Sequence, residues 1–331
     1  MTASRPLDES LEELVLGAPR RFTRLQVAEA AGLASEETHG LWRALGFPEV
    51  GDEDVLFTQR DVDAARLMAS LGDAGVLAPE VREAVARAVA QSMARLAEWQ
   101  VSMVRRVVES QPETERRGES GAGATERSLE LAAAVVPAFE KLQTYVWRRH
   151  LAATIQRLFV TSAPEDSDRW PLVVGFADMV GFTRTTRKRS TGELSEMIER
   201  FGAATTDVIA DGRGRVVKTV GDEVLFVADE IADGARIALA LRDRVRTEPT
   251  LPQLRIGLAA GPVLVRYGDV YGEVVNIASR LTAHARPDSV LVDRTVAEAL
   301  EADPRFALRP LRPVAVRGYS NLHPWRLETG S

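Results

Sequence analysis

The spacing of apolar residues divides the chain into a helical half and a mixed half. Through residues 1–109, apolar side chains recur every three or four positions, as in Val81, Val85, Val89 and Met93, which predicts that this region is nearly all helix. A second helical stretch is expected over residues 129–159, with Pro137 marking a kink or a fresh helix start. Between them, residues 110–128 contain no large apolar residue and are predicted to form an exposed loop.

The pattern changes at residue 172, after a turn-rich hinge over residues 163–171. Short β-branched runs predict strands, and the stretches between them predict helices. The predicted strands are residues 172–177, 215–219, 223–227, 255–266 and 289–292; the predicted helices are residues 191–211, 231–246 and 275–285. A tight hairpin is expected at residues 220–222. This alternation predicts an α+β fold of the split βαβ kind after an all-α domain.

Length and composition narrow the class of protein. A chain of 331 residues, 45% hydrophobic and 27% charged, fits a globular protein of two domains. There is no run of about 18 apolar residues and no apolar signal core at the N-terminus, so we expect a soluble cytoplasmic protein without a membrane segment. The sequence has no cysteine and four histidines, so any metal is expected on oxygen ligands. The net charge of -6 argues against a surface that wraps nucleic acid.

Three polar blocks in the mixed half contain the candidate chemistry. Asp178 follows a predicted strand in FADMVGFT (176–183), and Asp222 lies at the predicted hairpin tip in VVKTVGDEVLF (216–226). Two carboxylates side by side on adjacent strands would suit hard divalent cations such as Mg²⁺ or Mn²⁺. In YGDVYGEVVNIASRL (267–281), Asp269 is expected in a loop, and Asn276 and Arg280 one turn apart on a helix.

Each of these residues also has an ordinary structural explanation. An aspartate at a strand end or hairpin tip is commonly a turn former. Lys218 could be a solvated side chain, Arg280 a helix-end cation and Asn276 a helix cap. The combination of the three blocks, rather than any single residue, favours a functional site.

Together the blocks resemble the catalytic domain of class III nucleotidyl cyclases, over about residues 170–327. The resemblance implies a ferredoxin-like catalytic domain that converts ATP to 3′,5′-cyclic AMP and pyrophosphate. It implies that Asp178, the carbonyl of Met179 and Asp222 hold two Mg²⁺ or Mn²⁺ ions. It also implies that backbone amides at the start of the next helix hold the β- and γ-phosphates; these belong to Val180, Gly181, Phe182 and Thr183.

The same resemblance implies roles for the remaining polar residues. Arg280 would stabilise charge at the α-phosphate, and Asn276 would orient the ribose. Lys218 would donate to a ring nitrogen of adenine while Asp269 accepts from its amino group, a pattern that guanine does not match.

Two features depart from the family pattern. Arg317, in a VRG motif, stands where the family often has a phosphate-binding lysine, and the fork geometry of arginine differs from that of lysine. The 47 residues from Asp222 to Asp269 (269 minus 222) form a short interval for the family. The long interface-embracing hairpin of some members is therefore in doubt.

In this family, the metal aspartates and the residues that contact base and ribose come from different copies of the catalytic domain. The resemblance therefore implies a head-to-tail homodimer with its active sites at the interface and an inactive monomer.

The domain order resembles that of soluble mycobacterial or actinobacterial cyclases, some of which respond to pH. It implies an autoinhibiting regulatory domain over residues 1–145, a transmitting helix and hinge over 146–169 and a catalytic domain over 170–331. His150 on that helix is the candidate proton sensor, with acid pH expected to activate; a solvated histidine explains it equally well. A lipid-sized pocket among the helices is another candidate for control.

Residues 22–67 resemble a helix-turn-helix of DNA-binding regulators, although a compact helical domain without DNA is the stronger interpretation. The alternative function is a nucleotide-binding transcription regulator with a degenerate cyclase domain. The presence of Asp178, Asp222, Asn276 and Arg280 argues against degeneracy, because nucleotide binding alone does not need transition-state residues.

Overall fold

The chain folds into two compact units, residues 1–161 and 162–331. The computed structural model describes residues 7–109, 121–160, 169–182, 186–187, 189–316 and 319–330. None of the helices in these described ranges is both long enough and apolar enough to cross a membrane.

The described part of the first unit is helical, as predicted. Its helices are α1 (Leu7–Leu16), α2 (Arg24–Ala31), α3 (Ser35–Ala44), α4 (Gln59–Asp73), α5 (Pro79–Glu109) and α6 (Gly121–Val160). Thr23 and Thr58 form capping boxes at the starts of α2 and α4. A small core of Val27, Phe57 and Val62 packs these helices together.

The helix-turn-helix arrangement is present, but its chemistry does not favour DNA. Helix α2 ends at Gly32, which has a φ of 70°, and α3 follows. The first turn of α3 contains Glu36 and Glu37, and Glu37 forms an ion pair with Arg82 of α5. Carboxylates at the start of this helix would repel a phosphate backbone.

Helix α6 corrects two predictions. Residues 121–128 are helical, so the predicted loop over 110–128 is wrong there; residues 110–120 lie outside the described ranges. This segment lacks large apolar residues, but Ala124, Glu126 and Arg127 are good helix formers that can extend a helix formed downstream. The helix also continues through Pro137, so the predicted fresh start is wrong.

The second unit contains ten strands and four helices among the described residues. The strands are β1 (Arg169–Met179), β2 (Gly214–Val220), β3 (Glu223–Ala228), β4 (Leu254–Arg266), β5 (Asp269–Tyr271), β6 (Ser289–Val292), β7 (Phe306–Pro310), β8 (Val314–Val316), β9 (Tyr319–Leu322) and β10 (Trp325–Thr329). The helices are α7 (Thr191–Asp211), α8 (Ile231–Arg246), α9 (Glu273–His284) and α10 (Arg294–Leu300).

The sheet has the order β2-β3-β1-β4-β6-β10-β7, and β5 pairs with β4. Strands β1 to β4 pair antiparallel in the order 2-3-1-4, with α7 and α8 as the connecting helices. This is the ferredoxin-like arrangement of the split βαβ fold, so the predicted α+β class is confirmed. Strand β6 joins β4 in parallel and extends the sheet, whereas β8 and β9 form a separate hairpin.

The side chains of β1 alternate between two apolar layers. Val173 and Ala177 pack in the layer that contains Phe201 of α7 and Leu241 of α8. Val174 and Phe176 pack in the opposite layer, where Ala278 of α9 lies. Because successive strand residues point to opposite faces, Asp178 lies on the face that α9 covers.

All five predicted strands are present, with some errors at their ends. Strand β1 begins at Arg169, so the predicted hinge over 163–171 is wrong for its last three residues; residues 161–168 lie outside the described ranges. Asp269 is the first residue of β5 rather than part of a loop, because Tyr267 and Gly268 alone form the turn and Arg266 pairs with Asp269.

Candidate active site

Backbone hydrogen bonds bring Asp178 and Asp222 together. Asp178 is the penultimate residue of the central strand β1, and Asp222 lies in the turn between β2 and β3, next to Gly221 with its φ of 62°. The Met179 amide donates to the Asp222 carbonyl at 3.1 Å. This bond continues the β1–β3 ladder, in which Asp178 is opposite Glu223. The predicted juxtaposition of the two aspartates is therefore present.

Arg255 is a site residue that the sequence reasoning missed. It is opposite Asp178 on β4, and its Nε donates to Asp178 Oδ2 at 2.5 Å. Asp178 is only 8% exposed, so this charged bond stabilises a carboxylate that has lost most of its water. The sequence does contain a signal for this residue. Arg255 interrupts an apolar strand in LRIGLAA, and a charge in such a position needs a partner.

Burial and neighbouring carboxylates raise the proton affinity of two carboxyl groups at this end of the sheet. Burial raises the pKa of Glu223 to about 7, and the carboxylates of Asp178 and Asp222 contribute to this shift. Partial burial, followed by the charge of Asp178, raises the pKa of Asp222. The guanidinium of Arg255 acts in the opposite direction at both residues. The carboxylates at this end of the sheet therefore have more negative charge than the single positive charge of Arg255 neutralises.

These residues fit hard divalent cations. Carboxylate and carbonyl oxygens are the donors that Mg²⁺ and Mn²⁺ prefer. Burial and, after it, the charge of Asp178 raise the pKa of Asp222, and a bound cation would favour the charged form of that carboxyl. Over the described residues, no group of three or more aspartate, glutamate or histidine side chains is arranged to hold a metal ion. The candidate ligands within this chain are therefore two carboxylates and a backbone carbonyl.

The predicted row of phosphate-binding amides is only partly available. The Val180 amide donates to the Gln253 carbonyl at 2.8 Å, so the prediction is wrong for Val180, whose only backbone proton is already used in a turn. Gly181 is exposed with a φ of 75°, and Phe182 packs against the core. Thr183 and Arg317 lie outside the described residues.

Lys218 and Asp269 form an ion pair between strands that are not sheet neighbours. The Lys218 Nζ lies 2.5 Å from Asp269 Oδ2, and the Val270 amide donates to Asp269 Oδ1 at 2.9 Å. An irregularity in β2 at Val217 sets the position of Lys218 opposite Leu225. The two side chains are 39% and 25% exposed, so a ligand can reach both.

Asn276 and Arg280 lie one turn apart on α9, as predicted. The N-cap of α9 is Gly272, so Asn276 is inside the helix and is not its cap. Asn276 is exposed, whereas Arg280 is half-buried. In the part of the chain that the structure describes, the buried Nε of Arg280 has no hydrogen-bond partner. A buried donor without a partner is costly unless a ligand supplies an acceptor.

Exposed apolar side chains surround these residues. Val220 is at the β2–β3 hairpin and is 61% exposed, and Tyr267 and Tyr271 flank Asp269 and are 51% and 48% exposed. These are three of the five large hydrophobic side chains of the second unit that are exposed among its described residues. Such a concentration beside a site is typical of a surface that becomes covered on association.

The fold and the site define a class of protein. The family model for the adenylate and guanylate cyclase catalytic domain matches residues 168–329. This range contains every candidate residue of the second unit. Asp178, Asp222, Lys218, Asp269, Asn276 and Arg280 thus lie within a nucleotidyl cyclase catalytic domain.

Similarity to individual relatives extends beyond this domain. An adenylate cyclase of Streptomyces coelicolor is 40% identical and aligns with 97% of this chain and 90% of its own length. An adenylate cyclase of Glutamicibacter nicotianae is 36% identical, covering 99% and 84%. A pH-sensitive adenylate cyclase of Mycobacterium tuberculosis is 30% identical, covering 83% and 69%. The chain belongs to the class III adenylyl cyclases of actinobacterial type, and the resemblance in its sequence motifs is confirmed.

Proposed function

We propose that this protein converts ATP to 3′,5′-cyclic AMP and pyrophosphate, as a homodimer whose active sites combine residues of both copies. The observation that carries the choice of ATP is the Lys218–Asp269 ion pair at 2.5 Å. It presents an ammonium donor beside a carboxylate acceptor, and the adenine edge offers the complementary ring nitrogen and amino group in matching order. Guanine reverses that order and would leave both groups without a partner.

Asp178, Asp222 and the Met179 carbonyl would hold two Mg²⁺ or Mn²⁺ ions. When bound, such ions lower the pKa of the ribose 3′-hydroxyl and neutralise charge on the triphosphate. The protein keeps Asp178 in position through the central strand and through Arg255. Arg255 also places one positive charge where the triphosphate is expected.

The residues of α9 act on the ribose and the α-phosphate. The 3′-hydroxyl gives up its proton to water, and attack of its oxygen on the α-phosphorus forms one P–O bond while the bond to the pyrophosphate oxygen breaks. Negative charge therefore builds on the α-phosphate oxygens and on the departing pyrophosphate. Arg280, whose buried Nε needs an acceptor, would stabilise that charge. Asn276, exposed one turn earlier, would orient the ribose for in-line attack.

The homodimer is supported by the exposed surface around the site. Asn276, Val220, Tyr267 and Tyr271 are all exposed in the single chain. Association of two copies would cover the apolar residues and place the α9 residues of one copy against the carboxylates of the other. Two equivalent sites follow from the two-fold symmetry of such a dimer.

The first test concerns the carboxylate site. With Mn²⁺, the wild-type protein is expected to produce cyclic AMP, and Asp222→Asn to lose on the order of 10²–10³-fold in rate, because charge at the phosphates is no longer neutralised. Asp207→Asn, on the exposed surface of α7, is the matched control and should retain full activity. A wild-type protein that binds ATP but yields no product at any pH would instead support the transcription regulator.

The second test concerns base selection. Lys218→Glu is expected to lower kcat/KM for ATP by about 10²-fold, because the adenine nitrogen loses its donor and faces a carboxylate. The ratio of the kcat/KM values for ATP and GTP, with the thermal unfolding midpoint as a control for folding, gives the measurement. An unchanged ratio would refute the assignment of Lys218 to the base.

The third test concerns the dimer. Asp178→Asn and Asn276→Ala are expected to be inactive alone, but their co-expression restores one complete site in each mixed dimer. Random pairing makes about half of the dimers mixed, and one of the two sites in each mixed dimer is complete. About a quarter of wild-type activity should therefore return. Mixed dimers that form but remain inactive would contradict shared sites.

We also propose that acid pH activates the protein through α6. The similarity to a pH-sensitive relative supports this proposal, and His150 lies on α6 where residues 144–156 are all exposed. Histidine is the residue type whose charge most often changes near neutral pH in proteins.

His150→Asn is expected to flatten the profile of activity between about pH 5.5 and 8. His39→Asn, on α3 of the same unit, should leave the wild-type profile intact. A catalytic segment from residue 162 onward with the profile of the full chain would overturn control by the first unit.

A further inference from the structure

Helix α9 packs directly against the backbone of the sheet at Gly257 of β4. A Cβ atom at Gly257 would lie 2.5 Å from the Ala278 carbonyl oxygen and 2.6 Å from Thr282 Oγ1. Real Cβ atoms do not approach so closely, so α9 occupies the space that a side chain would need. Ala278 is fully buried, and Thr282 is 2% exposed.

A hydrogen bond joins α9 to β1 at the same point. The single proton of the Thr282 hydroxyl is shared between two acceptors, the Ala278 carbonyl of its own helix at 2.9 Å and the Phe176 carbonyl of β1 at 3.3 Å. Phe176 is directly opposite Gly257 in the β1–β4 ladder. Gly257, Phe176, Ala278 and Thr282 therefore meet at one junction of three elements.

This junction lies two residues from the groups that the reaction needs. Asp178 follows Phe176 by two residues, and Arg255 precedes Gly257 by two residues. On the helix, Asn276 and Arg280 lie two residues to either side of Ala278. A shift of α9 relative to β1 would therefore move the α9 residues relative to the carboxylates within one chain.

We propose that Thr282 is a positioning residue that ties α9 to β1 and thereby links the two active sites of the dimer. The inference rests on the proposed function, in which the carboxylates of one copy act with the α9 residues of the other. In that dimer, β1 and α9 of a single chain serve different sites. The Thr282 hydroxyl then joins α9, which serves one site, to β1, which serves the other. The close contact of α9 with Gly257 leaves no gap beside this bond.

The substitution Thr282→Val keeps the shape of the side chain and removes its hydroxyl. It is expected to lower kcat about fivefold, the effect of one lost hydrogen bond, with KM for ATP nearly unchanged because Lys218 and Asp269 are not attached to the junction. Thr282→Ser should restore kcat, since the hydroxyl returns.

Thr205→Val is the matched control. Thr205 is a fully buried threonine of α7 whose hydroxyl faces the Phe201 carbonyl at 2.8 Å and the Gly202 carbonyl at 3.1 Å, both in its own helix. Its loss should lower the thermal unfolding midpoint to a similar extent as Thr282→Val, yet leave kcat intact. If the two valine variants lose kcat equally, the loss is explained by lower stability of the fold, and the proposal is overturned.

Mixed dimers distinguish a link between the two sites from an effect of Thr282 on its own helix alone. In the pair Asp178→Asn with Asn276→Ala, the working site takes α9 from the first chain and the carboxylates from the second. Thr282→Val is added to one chain at a time, and we expect about fivefold loss in both arms. If kcat falls only when Thr282→Val is in the Asp178→Asn chain, Thr282 positions its own helix alone, and the link is overturned. If kcat falls in neither arm, the positioning role is overturned. An inactive starting pair would instead overturn the dimer, and the link with it.

Discussion

The burial of negative charge at the end of a central strand is the constraint on which the rest of the site depends. Strand β1 is paired on both sides, and Asp178 at its end is 8% exposed, so its carboxylate has lost most of its water. The β2–β3 turn brings Asp222 beside it through a backbone bond. The sheet thus assembles carboxylates that repel one another, and the ion pair of Arg255 with Asp178 offsets part of that repulsion. A cation bound here would replace repulsion with attraction, which suits a site for polyanionic nucleotides.

The parts of the fold that the sequence predicted well are those with a regular apolar period. Val173, Val174 and Phe176 alternate between two buried layers, and α7 and α8 present one apolar stripe each. Asp178 and Asp222 were predicted as neighbours because both interrupt such patterns at strand ends. Strand β5 has three residues and α10 has seven, too few for a period to show. Their positions depend on tertiary contacts, for example that of Val270 with the layer beneath α9.

Other features could not be read from sequence because they depend on partners far along the chain. An arginine within an apolar strand indicates that Arg255 needs a partner, but only the β1–β4 register identifies that partner as Asp178. The Val180 amide was expected to be free for phosphate, but Gln253, 73 residues later (253 minus 180), accepts its proton. Helix α6 shows a second reason why sequence prediction fails. It includes residues 121–128 and continues through Pro137, because a long helix overrides local breaking signals when its neighbouring turns remain intact.

Ion pairs hold two basic residues of the site, Lys218 and Arg255, before any nucleotide binds. Lys218 is bound to Asp269, and Arg255 is bound to Asp178, so neither cation contributes a free positive patch, and the net charge of -6 gives no hint of the ligand. The two pairs differ in what a nucleotide would do to them. Adenine can contact Lys218 and Asp269 at once, because its acceptor and donor are on adjacent atoms, so this pair can stay together. Arg255 shares Asp178 with the proposed cations, and so it must exchange a carboxylate for phosphate as the site fills. In the proposed function, the base pocket would therefore be preformed, whereas the phosphate end would have to rearrange its charges on binding.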